Sequence, residues 1–227
     1  MVISNRDRYH PPLYFNGKDV GVVEEHKHLG VTFNHKLNWK DHIQNIVSSI
    51  SKFLDVMHKL AKDLDRKSLE TVYQTFVRSK IEYACIIWDD CSEQLSTSLE
   101  KCQLRAGRII SGAKRGTSHA SLYSELQWPT LSARRDAYKL CFMHKVVNKT
   151  APDYLIEILP NTVNANRHYE LRNDNNIEQF FCRTEKFRKS LFPDGIRKWN
   201  RLDNDLKTET SFNSFRNKVN ATASCSP

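Results

Sequence analysis

Only 7 glycines and 7 prolines occur among 227 residues, which excludes collagen-like and low-complexity classes. No run of about 18 apolar residues is present, so no membrane-spanning helix is expected. The six cysteines, Cys85, Cys91, Cys102, Cys141, Cys182 and Cys225, form no C-x2-C pair. Met1 to Arg6 has neither the apolar stretch nor the small-residue cleavage site of a signal peptide. Together these predict a reduced, intracellular protein, in which the sequons at Asn148 and Asn220 carry no glycan. There is no P-loop, no G-x-S-x-G and no G-x-G-x-x-G. Cys141 and His144 have the spacing of half a zinc site without a second half, and His26, His28 and His35 have no acidic or cysteine partner at ligand spacing.

What is there is apolar content sufficient for a core, 39%, and a surplus of cations. With 35 Lys+Arg against 26 Asp+Glu the net charge is +9, which favours polyanionic partners. Residues 13–33 read as three short strands, with Asn16-Gly17 as a two-residue hairpin turn. The period then changes. Trp39, Ile43, Ile46, Ile50, Phe53, Met57, Leu60 and Leu64 succeed one another at alternating fours and threes, which predicts one long helix with a bundle-facing stripe. Asp65, Ser118 and Thr130 are candidate caps of later helices. The helix after Asp65 is expected to run on through Trp88. A third stripe comprises Leu95, Leu99, Cys102, Ala106 and Ile109, and Pro152 opens a small helix. The Asn-rich stretch 161–179 reads as a linker, and the apolar residues beyond it are too few to fold alone, so they are expected to pack back on the bundle. The fold class is therefore mainly α, a helical bundle behind a short N-terminal β-hairpin, divided at about residues 35 and 160.

The cations are unevenly placed. Lys101 to Lys145 holds nine Lys+Arg against two acids, Glu125 and Asp136. Arg105, Arg108, Lys114 and Arg115 alternate with Gly107, Gly112 and Gly116, and Arg134 and Arg135 extend the basic stretch, an arrangement suited to phosphate. A second group comprises Arg183, Lys186, Arg188, Lys189, Arg197, Lys198 and Arg201, with aromatic residues between them. Trp88-Asp89-Asp90 is similar to the aspartate pair of polymerase metal sites. Two-metal chemistry needs further convergent carboxylates, and Asp7, Asp19, Asp41, Asp55, Asp63 and Asp65 fall in expected turns or helices. No catalytic and no metal-ligating residue is assigned.

The order of segments resembles the C-terminal region of reverse transcriptases from jockey-like non-LTR retrotransposons. The residues that carry the resemblance are His26-Lys27-His28-Leu29-Gly30-Val31, Leu37-Asn38-Trp39-Lys40-Asp41-His42-Ile43, Ile81-Glu82-Tyr83-Ala84 with Trp88, and Gln103-Leu104-Arg105-Ala106. Leu126-Gln127-Trp128-Pro129-Thr130-Leu131 with Arg134-Arg135, Trp199-Asn200 and Ser214-Phe215 complete the set. The resemblance implies that Met1 to Ser4 is the last palm strand and that Lys27, His28, Leu29, Gly30 and Val31 form a primer-grip-like segment, with Gly30 letting the backbone approach the primer end. It implies that Trp39 to about Val147 is a helical thumb with its post-thumb segment, that fingers and catalytic palm aspartates precede Met1, and that Mg²⁺ belongs to the parent enzyme. The expected partners are an RNA–DNA or DNA duplex, held through its phosphates, and the palm and fingers of the parent. The alternatives are a non-enzymatic protein-interaction scaffold derived from a mobile element, and a metal-dependent enzyme using Asp89 and Asp90.

Overall fold

In a computed structural model of the chain, Ile3, residues 11–163 and residues 176–224 are described. Met1, Val2 and Ser4 of the expected palm strand, much of the expected linker and Cys225 lie outside the described residues. The fold is mainly α. Four short strands precede the helices: β1 (Tyr14–Phe15), β2 (Lys18–Asp19), β3 (Glu25–His28) and β4 (Val31–Asn34). They pair antiparallel as two separate hairpins, β1 with β2 and β3 with β4.

Both hairpins close through the same local chemistry. Asn16 and Gly17 have φ of 47° and 73°, and Leu29 and Gly30 have φ of 44° and 83°. Two successive positive-φ residues give the turn whose twist matches antiparallel strands. The first turn stands where Asn16-Gly17 predicts it. The second comes from Leu29-Gly30, so four strands stand where three were expected, and Val20 to Val23 belong to none of them.

The helices are α1 (Lys40–Leu60), α2 (Arg66–Val72), α3 (Ser79–Glu82), α4 (Cys85–Trp88), α5 (Glu93–Ser111), α6 (His119–Leu126) and α7 (Leu131–Val147). Beyond them lie α8 (Asp153–Ile156), α9 (Glu185–Lys189), α10 (Leu191–Asn200), α11 (Asn204–Lys207) and α12 (Phe212–Ser224). The caps agree with the sequence: Asp65, Ser118 and Thr130 accept hydrogen bonds from the amides of Ser68, Ser121 and Ala133. The helix after Asp65 does not run on to Trp88. It passes through a π-helical turn over Tyr73–Arg78 and stops at Tyr83, where ψ is 122°, and Ala84, where φ is 49°.

The chain divides into two compact units. The first comprises the described residues up to Ala84 together with Cys91–Ala106. Its core holds Ile43, Ile50, Leu54 and Met57 from α1, with Leu69, Tyr73, Val77, Ile81 and Leu99. Leu54 stands off the expected stripe yet is fully buried, whereas Leu60 at the helix end is exposed. Buried Tyr73 donates its hydroxyl to Gln103 at 2.7 Å, which satisfies two polar groups in that core.

The second unit comprises Cys85–Asp90 and the described residues from Gly107 onward. As expected from their small apolar set, the C-terminal helices pack back: α10 and α12 lie on α7 around Met143, Ile196, Trp199, Phe215 and Val219. Each such side chain, fully buried, contributes about 1.5–3 kcal/mol.

Candidate nucleic-acid interface

In the first unit the β3–β4 hairpin lies against α1, and the Thr32 amide donates to His42 Nδ1 at 3.3 Å. On α1, His42, Asn45, Ile46 and Ser49 recur at helical spacing and share one face. Lys80 of α3 and Tyr83, the residue that ends it, line the same cavity. These groups, with Lys27 and Thr32 of the hairpin, wall a cavity of about 450 Å³. Lys80 Nζ donates to Ser49 Oγ at 2.9 Å, and Tyr83 donates its hydroxyl to the Leu29 carbonyl at 2.7 Å. Among the described residues no carboxylate lines the cavity. Burial first, and the nearby Lys27 charge second, hold the His42 imidazole below the usual histidine range, so it is neutral at pH 7.

The primer-grip-like segment divides between turn, core and surface. Lys27 lines the cavity, while His28 is exposed with its ring stacked on His26 at 6.3 Å. Leu29 is 77% exposed, and Val31 is buried. Gly30 does not simply offer an open backbone. A Cβ there would meet the Tyr83 ring at 3.2 Å, so the glycine serves the turn and the close approach of Tyr83.

The basic residues of the central stretch have different fates. Lys114 and Arg115 are exposed in the loop between α5 and α6. Arg105 is exposed but ion-paired with Asp55 of α1. Arg108, one helical turn further, is half-buried, and its Nε is enclosed. Arg134 is half-buried, its guanidinium 5.9 Å from the centre of the Tyr138 ring. Arg135 departs from the expectation of an exposed phosphate contact. It is 4% exposed and donates from Nε to Asp89 at 2.6 Å. Gly107 is a second correction: a Cβ there would sit 2.9 Å from Leu126 and 3.1 Å from Leu122, so this glycine admits α6 rather than a phosphate. Gly112 and Gly116 do have open surroundings.

Lys139, which carries no distinguishing signal in the sequence, is the centre of a buried ion cluster in the second unit. Its Nζ contacts Asp89 and Asp194, each at 2.6 Å. Arg197 and Lys198 also meet Asp194, and Lys198 reaches Asp136. Burial pushes the Asp89 carboxyl up, but Lys139 and Arg135 outweigh it and hold the group below the usual carboxylate range. Asp194 is likewise depressed, burial being overcome by Lys139 and Lys198. Asp90 pairs with Lys186 at 3.2 Å. Much of the second basic group is thus engaged with acids, including Arg188 and Lys189 with Glu185.

The Mg²⁺ implied for the parent enzyme does not fit Asp89 and Asp90, because Arg135 and Lys139 hold both Asp89 oxygens and Lys186 faces Asp90 Oδ2. Among the described residues no cluster of His, Cys, Asp or Glu could hold a metal, and no helix is long and apolar enough to cross a membrane. The five described cysteines are free thiols.

The chain is similar to a transposon polymerase. Over 124 residues, 53% of its length, it is 22% identical to a Drosophila melanogaster protein described as "Probable RNA-directed DNA polymerase from transposon X-element". It spans 14% of the length of that relative. No family model matches the chain, and no solved structure does.

Proposed function

We propose that the chain is the C-terminal, thumb-containing part of a non-LTR retrotransposon reverse transcriptase of the jockey-like kind. In this role it positions primer and template through their phosphate backbones, and the metal-binding carboxylates come from elsewhere in the parent enzyme. The similarity to a transposon RNA-directed DNA polymerase carries this reading. The surplus of nine positive charges supports it, as do the exposed Lys114 and Arg115 and the acid-free cavity beside Lys27. Duplex phosphates need no base-specific partner, and Lys114 and Arg115 sit in a loop while Lys27 sits in a hairpin strand.

Fluorescence anisotropy of a labelled RNA–DNA hybrid against salt tests the reading. Binding should be strong at low salt and should weaken with a slope near −0.9 per phosphate neutralised, the value for B-form duplex. Replacing Arg105, Arg108, Lys114 and Arg115 by Ala should flatten the slope by up to about one unit for each phosphate no longer neutralised. Primer extension with Mg²⁺ should be absent. Weak, salt-independent binding would sink the proposal.

A second reading, a protein-interaction scaffold, is favoured by one feature of the first unit. Leu13, Phe15 and Val22 are 62%, 73% and 71% exposed along the N-terminal ribbon, an apolar surface suited to another protein. It predicts no hybrid binding and stable capture of a protein partner that Phe15→Asp abolishes.

A further inference from the structure

The loop between α5 and α6 carries a second kind of chemistry beside its charge. No Asp or Glu stands between Glu100 and Glu125, and within that stretch lies Lys114-Arg115-Gly116-Thr117-Ser118. None of these residues belongs to a helix or strand. The Thr117 amide donates to the Lys114 carbonyl at 3.1 Å and closes the turn. Gly112 and Gly116 have nothing within 4 Å of a Cβ position, so no neighbouring element crowds the loop at either glycine.

Ser118 ends this loop as the N-cap of α6. It is exposed, with extended backbone at φ −62° and ψ 151°. Its Oγ accepts from the Ser121 amide at 3.1 Å, a bond that does not use the hydroxyl proton. Arg115 and Lys114 stand third and fourth before it. An exposed serine hydroxyl on extended backbone, with cations at those places, has the charge pattern that protein kinases with an acidic substrate groove select. Thr117 is half-buried, so of the two neighbouring hydroxyls that of Ser118 is the accessible one.

We propose that Ser118 accepts a phosphoryl group from a protein kinase selective for basic residues, and that its phosphate silences Lys114 and Arg115 as contacts for nucleic acid. The second half rests on the nucleic-acid reading above and gives it a regulation. In the transfer, Ser118 Oγ bonds to the γ-phosphorus of ATP, the bond from that phosphorus to the β,γ-bridging oxygen breaks, and ADP leaves. The hydroxyl proton passes to a carboxylate of the kinase. The product carries about −1.5 to −2 charges at pH 7, which offsets the two cations before it. The turn keeps those cations within reach, and an arginine fork binds phosphate oxygens bidentately. The new phosphate therefore competes in cis with the phosphates of a duplex. It leaves α6 intact, because its oxygens replace the hydroxyl as acceptors for the first-turn amides.

The test treats the full chain with ATP and a kinase that selects arginine three residues before its acceptor, calmodulin-dependent protein kinase II. Tandem mass spectrometry should place the phosphate on Ser118, and Arg115→Ala should slow that labelling about tenfold. Helical circular dichroism should not change. Anisotropy of a labelled RNA–DNA hybrid should then give a slope of log K against log salt flatter by up to about two units, as in Lys114→Ala/Arg115→Ala. Ser118→Asp keeps a good N-cap and adds one negative charge, so it should flatten the slope by about one unit. Phosphate on Thr117 or elsewhere, with Ser118 unlabelled, overturns the proposal. Phosphate on Ser118 that leaves the binding constant and slope unchanged also overturns it, while the nucleic-acid reading stands. If the unmodified chain binds no hybrid, the nucleic-acid reading fails. Arg115-dependent labelling of Ser118 then still supports the acceptor site, and its absence overturns that too.

Discussion

The Lys139 ammonium lies 2.6 Å from the Asp194 carboxylate, with Lys139 1% and Asp194 4% exposed. Asp89 meets the same ammonium and the Arg135 guanidinium, so three acids, counting Asp136, and four cations, counting Arg197 and Lys198, share one cluster. Such a cluster is costly to desolvate and costlier to break, because removing one member leaves a buried charge undercompensated. Asp89→Asn is expected to destabilise the protein by about 3–5 kcal/mol. Urea unfolding monitored by Trp fluorescence measures it, and a loss below about 1 kcal/mol would show that the cluster is not closed to water.

The same cluster sets a pH window. Asp89 and Asp194 are depressed from 3.8, so their contribution is present above about that pH and is lost as pH falls through their folded-state values. Lys139 is raised from 10.5, burial being outweighed by Asp89 and Asp194, so its contribution is present below 10.5 and is lost as pH rises beyond it. Between these limits the cluster should add no pH dependence, which a series of urea midpoints from acid to alkali checks.

How much of this was legible in the sequence depends on the distance over which each feature is decided. Asn16-Gly17 acts through its own backbone angles, and Asp65, Ser118 and Thr130 act on amides three residues on, and each appears where the sequence places it. The α1 stripe is also local, a matter of period. Arg135 was not legible, because its fate depends on Asp89, 46 positions away, and Lys139 depends on Asp194, 55 positions away. Gly107 looked like a phosphate glycine because its neighbours are basic, yet the Leu122 and Leu126 side chains decide its role. At the candidate site, Lys27 and Tyr83 were marked by the resemblance, but Lys80 was not. Only the break at Tyr83-Ala84 and the packing of α3 on α1 bring it to the cavity.

The two turn glycines should respond differently. Gly17 has φ of 73° with nothing within 4 Å of a Cβ position, in a hairpin whose residues are all exposed. Gly17→Val should cost about 1–3 kcal/mol of local strain, loosen that hairpin and leave the helical circular dichroism unchanged. Gly30→Val adds contact with Tyr83 to the same strain and should also perturb the Tyr83 ring signals. Equal, global loss of helix in both variants would show that β1 and β2 belong to the core.

His42 predicts acid sensitivity in the first unit. Its folded value lies below 6.5, through burial and then through Lys27, so the unfolded chain takes up a proton that the folded one resists. Stability from this residue is complete above pH 6.5 and declines as pH falls from there toward the folded value. His42→Asn should lower the urea midpoint at pH 7.5 modestly while flattening the decline between pH 6.5 and 5. An unchanged slope would show that His42 does not carry the acid dependence.

Arg135 and the pair Lys114-Arg115 separate a cation that holds the fold from cations that hold a ligand. All three belong to one basic stretch of sequence, but Arg135 is 4% exposed against Asp89 while the other two are exposed in a loop. Arg135→Ala should therefore lower stability by about 3–5 kcal/mol, the cost of stranding a partner of a buried pair. The fraction that remains folded should bind an RNA–DNA hybrid with the wild-type salt slope, since Arg135 contacts no phosphate. Lys114→Ala/Arg115→Ala should do the reverse. As surface changes they should alter stability by no more than about 0.5 kcal/mol. The slope of log K against log salt should flatten by up to about two units, one for each phosphate that the pair neutralises. Thermal melts and anisotropy titrations on the same preparations read both quantities. A flatter slope in Arg135→Ala at full folding would return Arg135 to the interface, and an unchanged slope in the loop variant would remove Lys114 and Arg115 from it.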